Sequence, residues 1–134
     1  MNEFGKLSQK VVFPVHPRTN KIILENEIKL NSNIILTKPF GYLDFIHLQS
    51  NVLKIITDSG GIQKEAYILK KPCITIRSET EWVETIETGW NILVNPTKNN
   101  FSNTIDIFEP TKDYDEIFGQ NVSKKIIKIL NKNE

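Results

Sequence analysis

Five short apolar runs punctuate the chain: VVFPV (11–15), NIILT (33–37), LKIIT (53–57), PCITI (72–76) and NILV (91–94). Each is continuous rather than alternating. That is the pattern of a strand covered on both faces, and such strands belong to parallel sheets. The segments between them carry helical spacing. Ile62, Ala66 and Leu69 recur at i, i+4 and i+7 as one apolar stripe, with Lys64, Lys70 and Lys71 off it. Residues 42–50 predict a short helix with Leu43, Ile46 and Leu48 inward, and residues 80–88 predict another. Val122, Ile126, Ile129 and Leu130 mark a last helix. Strands alternating with helices imply an α/β fold with a mostly parallel sheet.

In such sheets ligands bind beyond the C-terminal ends of the strands, so the informative connections follow Val15, Thr37, Thr57 and Ile76. Composition narrows the classes further. A chain of 134 residues suits one domain with a core of ordinary size. Its net charge of +1, spread along the sequence, argues against a nucleic-acid groove driven by bulk electrostatics. No apolar run approaches the ~20 residues needed to span a bilayer, which excludes a membrane helix. The start, MNEFGKLSQK, lacks the apolar centre of a signal peptide, so a cytoplasmic protein is expected. The single cysteine, Cys73, has no disulfide partner within the chain and reads as a buried, inert thiol. No pair of histidines has metal spacing, no Ser/His/Asp arrangement is evident, and neither metal nor cofactor is expected.

The most informative connection is TDSGGIQKEA (57–66). Gly60 and Gly61 let backbone approach a ligand closely, and the following helix offers free N–H groups and the positive end of its dipole, which suits a diphosphate. Alternatively, Asp58 or Ser59 merely caps the helix and glycine makes the turn. Glu65 is not explained as a capping-box partner, because neither Asp58 nor Ser59 stands three residues before it. Its carboxylate can accept two hydrogen bonds from a ribose diol, or it is an ordinary solvated glutamate. The loop VHPRT (15–19) holds His16 and Arg18, suited to phosphate or sugar contacts, or forms a rigid strand exit. Pro14 suits a strand end or an edge. PFGYLDF (39–45) groups Phe40, Tyr42 and Phe45, whose rings can hold a flat base, although Tyr42 and Phe45 equally suit the core. In RSETEW (77–82), Ser78 and Glu81 fit an S-x-x-E capping box, which leaves Arg77 and Thr80 to face a ligand. His47 sits mid-helix at a surface-like position.

Taken in order, VVFPVHPRT, PFGYLDF, TDSGGIQKEA, KPCITIRSETEWVE and TGWNILV resemble the C-terminal half of the UDP-N-acetylglucosamine 2-epimerases, from about Val11 to the end. The resemblance implies the Rossmann-like C-terminal domain of a GT-B-type two-domain enzyme, truncated at its N-terminus. It implies that residues 1–134 are a partial nucleotide-sugar-binding domain, with UDP-sugar in the cleft and a place in cell-surface polysaccharide biosynthesis. By the same resemblance, Ser59, Gly60 and Gly61 hold the diphosphate, Glu65 holds the ribose, and Phe40 and Phe45 contact the uracil, Phe40 through its backbone. His16 and Arg18 match the family's HPR loop at the cleft. Arg77, Thr80 and Glu81 match its R-D-x-T-E loop, with Ser78 in place of the usual aspartate and Trp82 where many members carry arginine. The ETEW form also occurs in relatives acting on diacetamido-uronic acid sugars, so the exact sugar stays open.

Nothing in the chain matches the family's N-terminal domain, which supplies the catalytic acidic residues, nor the first strand and helix of the C-terminal domain. The expectation is therefore a UDP-binding C-terminal fragment of an isomerase, inactive by itself, with its catalytic residues unassigned. Two other readings stand beside it: the binding half of a split epimerase with a separate N-terminal partner, and a fragment of a GT-B glycosyltransferase. The PVHPRT and ETEWVE motifs favour the epimerase. Members of the family are often homodimeric. In the Rossmann order the unmatched strand lies between the strands at 11–15 and 53–57, so an open gap is expected there.

Overall fold

The computed structural model describes residues 1–97 and 101–131. A single 3-10 turn, Phe4–Lys6, precedes β1 (Val11–Pro14), α1 (Pro17–Glu25), β2 (Ile34–Thr37), α2 (Tyr42–Ser50) and β3 (Ile55–Thr57). Then come α3 (Gly60–Ile68), β4 (Cys73–Thr75), α4 (Val83–Glu87), β5 (Asn91–Leu93), α5 (Ser102–Ile107) and α6 (Val122–Leu130). Every apolar run read as a strand contains one. All strand pairs are parallel, in two sheets: β1 with β2, and β3–β4–β5.

The three-stranded sheet is covered on both faces, which is why its strands read as unbroken apolar runs. Ile55 and Cys73 point toward α3 and pack with Ala66, Ile62 and Val52. On the opposite face Ile74 packs with Leu7, Val94, Ile105 and Phe108, flanked by Phe4, Ile56, Ile92 and Phe101. That layer closes because the chain start is tied to α5: the Ser8 amide and hydroxyl donate to the Asp106 carboxylate at 3.1–3.3 Å. The Lys54 ammonium donates to the carbonyls of Ile105 and Asp106 at 3.1 and 2.7 Å. A cation there complements the negative end of α5. The Cys73 thiol is buried, and burial pushes its pKa up to about 12, so it stays protonated and inert.

Several local expectations change. Residues 15–19 are not a loop: Val15 is buried, His16 caps α1, and Pro17 opens the helix, where its missing N–H leaves no bond unmade. In helix α1, from Pro17 on, only Ile23 is buried, and its apolar residues Ile22, Ile23 and Leu24 are consecutive rather than spaced at i, i+3 or i+4, so periodicity does not announce it. Helix α4 begins at Val83 with Trp82 at its N-cap, so Ser78 and Glu81 precede the helix and the expected capping box does not form. In α2 the inward residues are Gln49, with Phe45, Ile46 and Leu48 half-buried, whereas Leu43 is 81% exposed and Tyr42 67% exposed. Rotation of α2 that buries Gln49 turns both outward. The apolar residues of α6 are likewise all exposed.

Between the two sheets β1 and β3 do not pair. The amides of Val11 and Val15 donate to the carbonyls of Asn33 and Thr37, so β1 alternation turns Val12 and Pro14 to the other edge. Proline suits that edge, since it has no N–H to leave unbonded. On β3, Ile55 and Thr57 bond β4 through the Pro72 carbonyl and the Ile76 amide, and Ile56 faces away. Val12 and Ile35, cross-strand partners in register, are 38% and 41% exposed, so one face of the smaller sheet is open as well. The arrangement matches the expected gap, flanked by two strand edges. Amide exchange followed by NMR should show Val12 and Ile56 exchanging at least about tenfold faster than Ile74 and Ile92, which are paired inside the larger sheet. Equal protection at Ile56 and Ile74 would mean that the β3 edge is paired.

Candidate functional site

The connection from β3 to α3 is fixed by its own hydroxyl. Thr57 Oγ1, buried at the strand end, accepts from the Ser59 amide at 3.0 Å and holds Asp58 and Ser59 in a tight turn. Ser59 is the N-cap of α3 by backbone geometry, but its side chain makes no cap bond. Helix geometry leaves the amides of Gly60, Gly61 and Ile62 without intrahelical acceptors, because Gln63 is the first to bond back, to the Ser59 carbonyl at 3.1 Å. The cap reading of Ser59 and Asp58 thus finds no support: Asp58 is exposed and the Ser59 hydroxyl is uncommitted. What stands at the strand end is a helix start with unspent donors and a positive dipole.

The two glycines meet different surroundings. A Cβ on Gly60 would lie 1.8 Å from Glu81 Oε1 and 3.2 Å from Trp82 Nε1, so the 77–82 loop folds directly over this backbone. A Cβ on Gly61 would meet only Ser59 Oγ at 3.9 Å. A Cβ at position 60 would require the exposed Glu81 carboxylate to move, whereas position 61 is open. The Glu81 carboxylate beside Gly60 complements the helix dipole, and it pairs with Arg77, whose Nη1 lies 3.0 Å from Glu81 Oε2. Both side chains are substantially exposed, so that pair contributes little to stability.

The loop is held from below by a buried polar network. The Thr80 hydroxyl donates to Gln63 Oε1 at 2.6 Å and accepts from the Trp82 amide at 3.1 Å. The Asn91 amide donates to Gln63 Oε1 at 3.3 Å and to Thr85 Oγ1 at 3.0 Å, and Asn91 Oδ1 accepts from Thr75 Oγ1 at 2.9 Å. Thr80 is thus engaged inside the protein and acts through the loop it fixes, not as a free face toward a ligand. Glu65 is also held. Its Oε2 accepts from Gln49 Nε2 at 2.8 Å, and Gln49 is 3% exposed. Phe45 lies one turn before Gln49 on the same face of α2, so that helix presents the ring and the amide toward the flank of α3.

His16 accepts from the Arg18 amide through Nδ1 at 3.3 Å, a cap at the C-terminal end of β1 that leaves Nε2 outward. Arg18 is exposed, without an ion-pair partner among the described residues. Phe40, 40% exposed, precedes α2 at the end of β2. All the sequence-selected residues lie at or just beyond strand C-terminal ends, or on the helices leaving them. The structure joins Gly60, Arg77, Thr80 and Glu81 directly, and Glu65 to α2; His16, Arg18 and Phe40 stand on the smaller sheet. Sequence reasoning missed Gln49, Gln63 and Asn91. Their only signal is polarity at positions where the period places core, as Gln49 stands four residues after Phe45. Among the described residues no group of His, Cys, Asp or Glu is arranged to hold a metal ion. No helix among them is long and apolar enough to cross a membrane.

Fold and site together define a Rossmann-like, parallel α/β unit with a helix start, its first amides uncommitted, at the strand ends. The family model for UDP-N-acetylglucosamine 2-epimerase matches residues 1–131, and the chain belongs to that family. It is 48% identical over 136 residues to a UDP-N-acetylglucosamine 2-epimerase homolog of Methanococcus maripaludis, covering 97% of this chain and 38% of that protein. It is 42% identical over 99 residues to UDP-2,3-diacetamido-2,3-dideoxy-D-glucuronate 2-epimerase of Pseudomonas aeruginosa, covering 74% of this chain and 27% of that protein. The Methanocaldococcus jannaschii UDP-GlcNAc 2-epimerase, solved in complex with UDP-GlcNAc and UDP, superposes with a TM-score of 0.77 at 41% identity, over 91% of this chain and 35% of that one. The chain thus spans between about a quarter and two fifths of these epimerases (27% to 38%), as a C-terminal part of a GT-B-type fold.

The network gives a stability test. Thr80→Val keeps the side-chain shape but deprives Gln63 Oε1 of one donor and the Trp82 amide of its acceptor. Urea unfolding should show a loss of about 1–3 kcal/mol, the cost of leaving buried polar groups unpaired. No change in the midpoint would mean that water replaces the hydroxyl freely and the network is not what fixes the loop.

Proposed function

We propose that this chain is the UDP-binding part of a UDP-N-acetylglucosamine 2-epimerase, or of an epimerase acting on a related UDP-sugar. The observation that carries the reading is the start of α3: uncommitted amides at Gly60, Gly61 and Ile62, an unused Ser59 hydroxyl, and glycine at a position where packing does not require it. The diphosphate takes the place the Glu81 carboxylate holds beside Gly60, and Arg77, released from that carboxylate, pairs with a phosphate. Charge-assisted bonds of this kind are the strong ones. Glu65, steadied by Gln49, accepts from the ribose diol. Phe45 and the backbone at Phe40 bound the uracil on the α2 side, and His16 and Arg18 border the cleft from β1. Support comes from the relative solved with UDP-GlcNAc and UDP, which shares the fold over most of this chain.

Epimerisation at C2 through loss and re-addition of UDP makes two demands: a base at C2, and stabilisation of the departing diphosphate. The groups at α3 serve the second. The helix dipole and the backbone of the loop that carries Arg77 are in place before any ligand arrives, and the Arg77 and Glu81 side chains rearrange. For the first, the site offers His16, whose Nδ1 is engaged in capping α1, and Asp58, Glu65 and Glu81, which stand at the diphosphate and ribose end around α3. The base is therefore assigned to the part of the enzyme that this chain does not span. The likeness to the Pseudomonas diacetamido-glucuronate enzyme keeps a uronic acid sugar as an alternative substrate.

Calorimetry separates the cradle from the base pocket. UDP should bind at least about tenfold more tightly than uridine, the increment of one charge-assisted hydrogen bond or more. Gly61→Ala should leave folding stability unchanged or raise it by about 0.5–1 kcal/mol, since alanine favours a helix interior, while removing most of the UDP preference. Unaltered UDP binding by Gly61→Ala would move the diphosphate away from α3. Activity is read as deuterium incorporation at C2 of UDP-N-acetylglucosamine in heavy water. None is expected from the chain alone, and exchange is expected once the remaining N-terminal portion of the Methanocaldococcus relative is supplied. Exchange by the chain alone would place the base within it.

A further inference from the structure

Trp82 presents a buried donor that nothing in the structure uses. Its Nε1 is enclosed and finds no acceptor among the described residues. The ring itself is fully accounted for: it packs edge-on against Phe118 at 5.7 Å between centroids, and the Lys64 ammonium stands 4.8 Å over it. The main-chain amide of Trp82 is tied to Thr80, and its carbonyl accepts from Thr85 Oγ1 at 2.7 Å, so the residue is pinned from both ends. None of these contacts involves the indole N–H. A buried donor without a partner is costly, and native structures rarely carry one without a reason.

The position of that donor supplies the reason. Nε1 lies 3.2 Å from where a Cβ of Gly60 would be, at the start of α3 and next to the Glu81 carboxylate oxygen. The indole nitrogen therefore borders the Gly60 backbone, where α3 begins. Resting on the reading of α3 given above, we propose that the Trp82 indole N–H is a further donor of this cradle and bonds an anionic oxygen of the nucleoside diphosphate. Glu81 stands beside Gly60 while the site is free. When the diphosphate displaces that carboxylate, its oxygen meets a donor already aligned and already stripped of water. The bond forms without ordering a flexible side chain, which a lysine or arginine at the same place would require.

The test uses the indole proton itself. The chain has two tryptophans, and Trp90 Nε1 already donates to the Lys112 carbonyl at 3.1 Å, so it serves as an internal reference. In nitrogen-15 spectra of the 134-residue chain, saturating UDP should move the Trp82 indole N–H resonance downfield and leave that of Trp90 in place, and uridine should move neither. Trp82→Phe keeps an aromatic ring against Phe118 and deletes the donor. It should weaken UDP by about 10- to 100-fold, the range for a hydrogen bond to a charged acceptor, and leave uridine binding unchanged. If UDP outbinds uridine while the Trp82 resonance stays fixed, the inference fails and the cradle stands. If UDP binds no better than uridine, the reading of α3 fails, and the inference with it. The wild-type spectrum decides even where the variant folds poorly.

Discussion

The site depends on one buried amide. Gln63 sits in the first turn of α3 with no exposed surface, and its Oε1 accepts from both Thr80 and Asn91. Through those two bonds a helix start, a loop after β4 and a residue of β5 are fixed with respect to one another. The network continues to Thr75 and Thr85, so strand, loop and helix share one set of hydrogen bonds. In a low-dielectric interior such bonds strengthen one another, and a single missing member leaves costly orphans. The consequence for function is geometric. Arg77, Glu81 and Trp82 lie in no strand or helix, and yet Glu81 and Trp82 sit within reach of Gly60. Their placement comes from the polar layer, and hydrophobic packing alone would not specify it.

That layer explains where the sequence was legible and where it was not. The strands could be read because apolar runs bounded by turn residues have few other uses. The candidate cradle could be read because Ser-Gly-Gly after such a run combines a strand end, a close-approach backbone and a helix start. Gln63, Thr75, Thr85 and Asn91 could not be read, because a buried polar side chain looks in sequence like a solvated one; only the fold shows that they bond one another. Gln49 misled in the same way. Its inward turn sends Leu43 to solvent, against the apolar pattern of α2. The expected capping box at Ser78 and Glu81 failed for a related reason: the loop continues to Trp82, because Thr80 is committed to Gln63 and Glu81 lies over Gly60. Helix α1 was hidden by Pro17, a residue that reads as a loop signal and here stands at a helix start.

The gap between β1 and β3 divides the candidate site along the same line as the sheets. Ser59, Gly60, Gly61, Arg77, Glu81 and Trp82 belong to the larger sheet, with both of its faces covered. His16, Arg18 and Phe40 belong to the smaller sheet, where Val12 and Ile35 remain exposed. Without main-chain bonds between the sheets, the two groups of residues are held in register by what crosses between them. The Gln49–Glu65 bond is such a crossing, since α2 leads out of the smaller sheet and α3 belongs to the larger. Its value is then more than the orientation of one carboxylate: it ties the helix that carries Phe45 to the helix that starts at the cradle.

This division has a consequence for how the parts of a nucleotide would be recognised. The phosphate end meets groups on a rigid platform, where preorganisation lowers the cost of binding. The base end meets α2, which begins with an exposed Tyr42 and Leu43 and is anchored mainly at its far end through Gln49. Contacts on that side would be made by exposed side chains, whose rotamer freedom is lost as they form. On the proposed reading, affinity would be concentrated at the diphosphate, and the base would contribute selectivity more than strength. A parallel strand between β1 and β3 would change that balance, because it would bond both edges and fix the two platforms together. Completion of the sheet and tightening of the base pocket are, on these grounds, the same structural event.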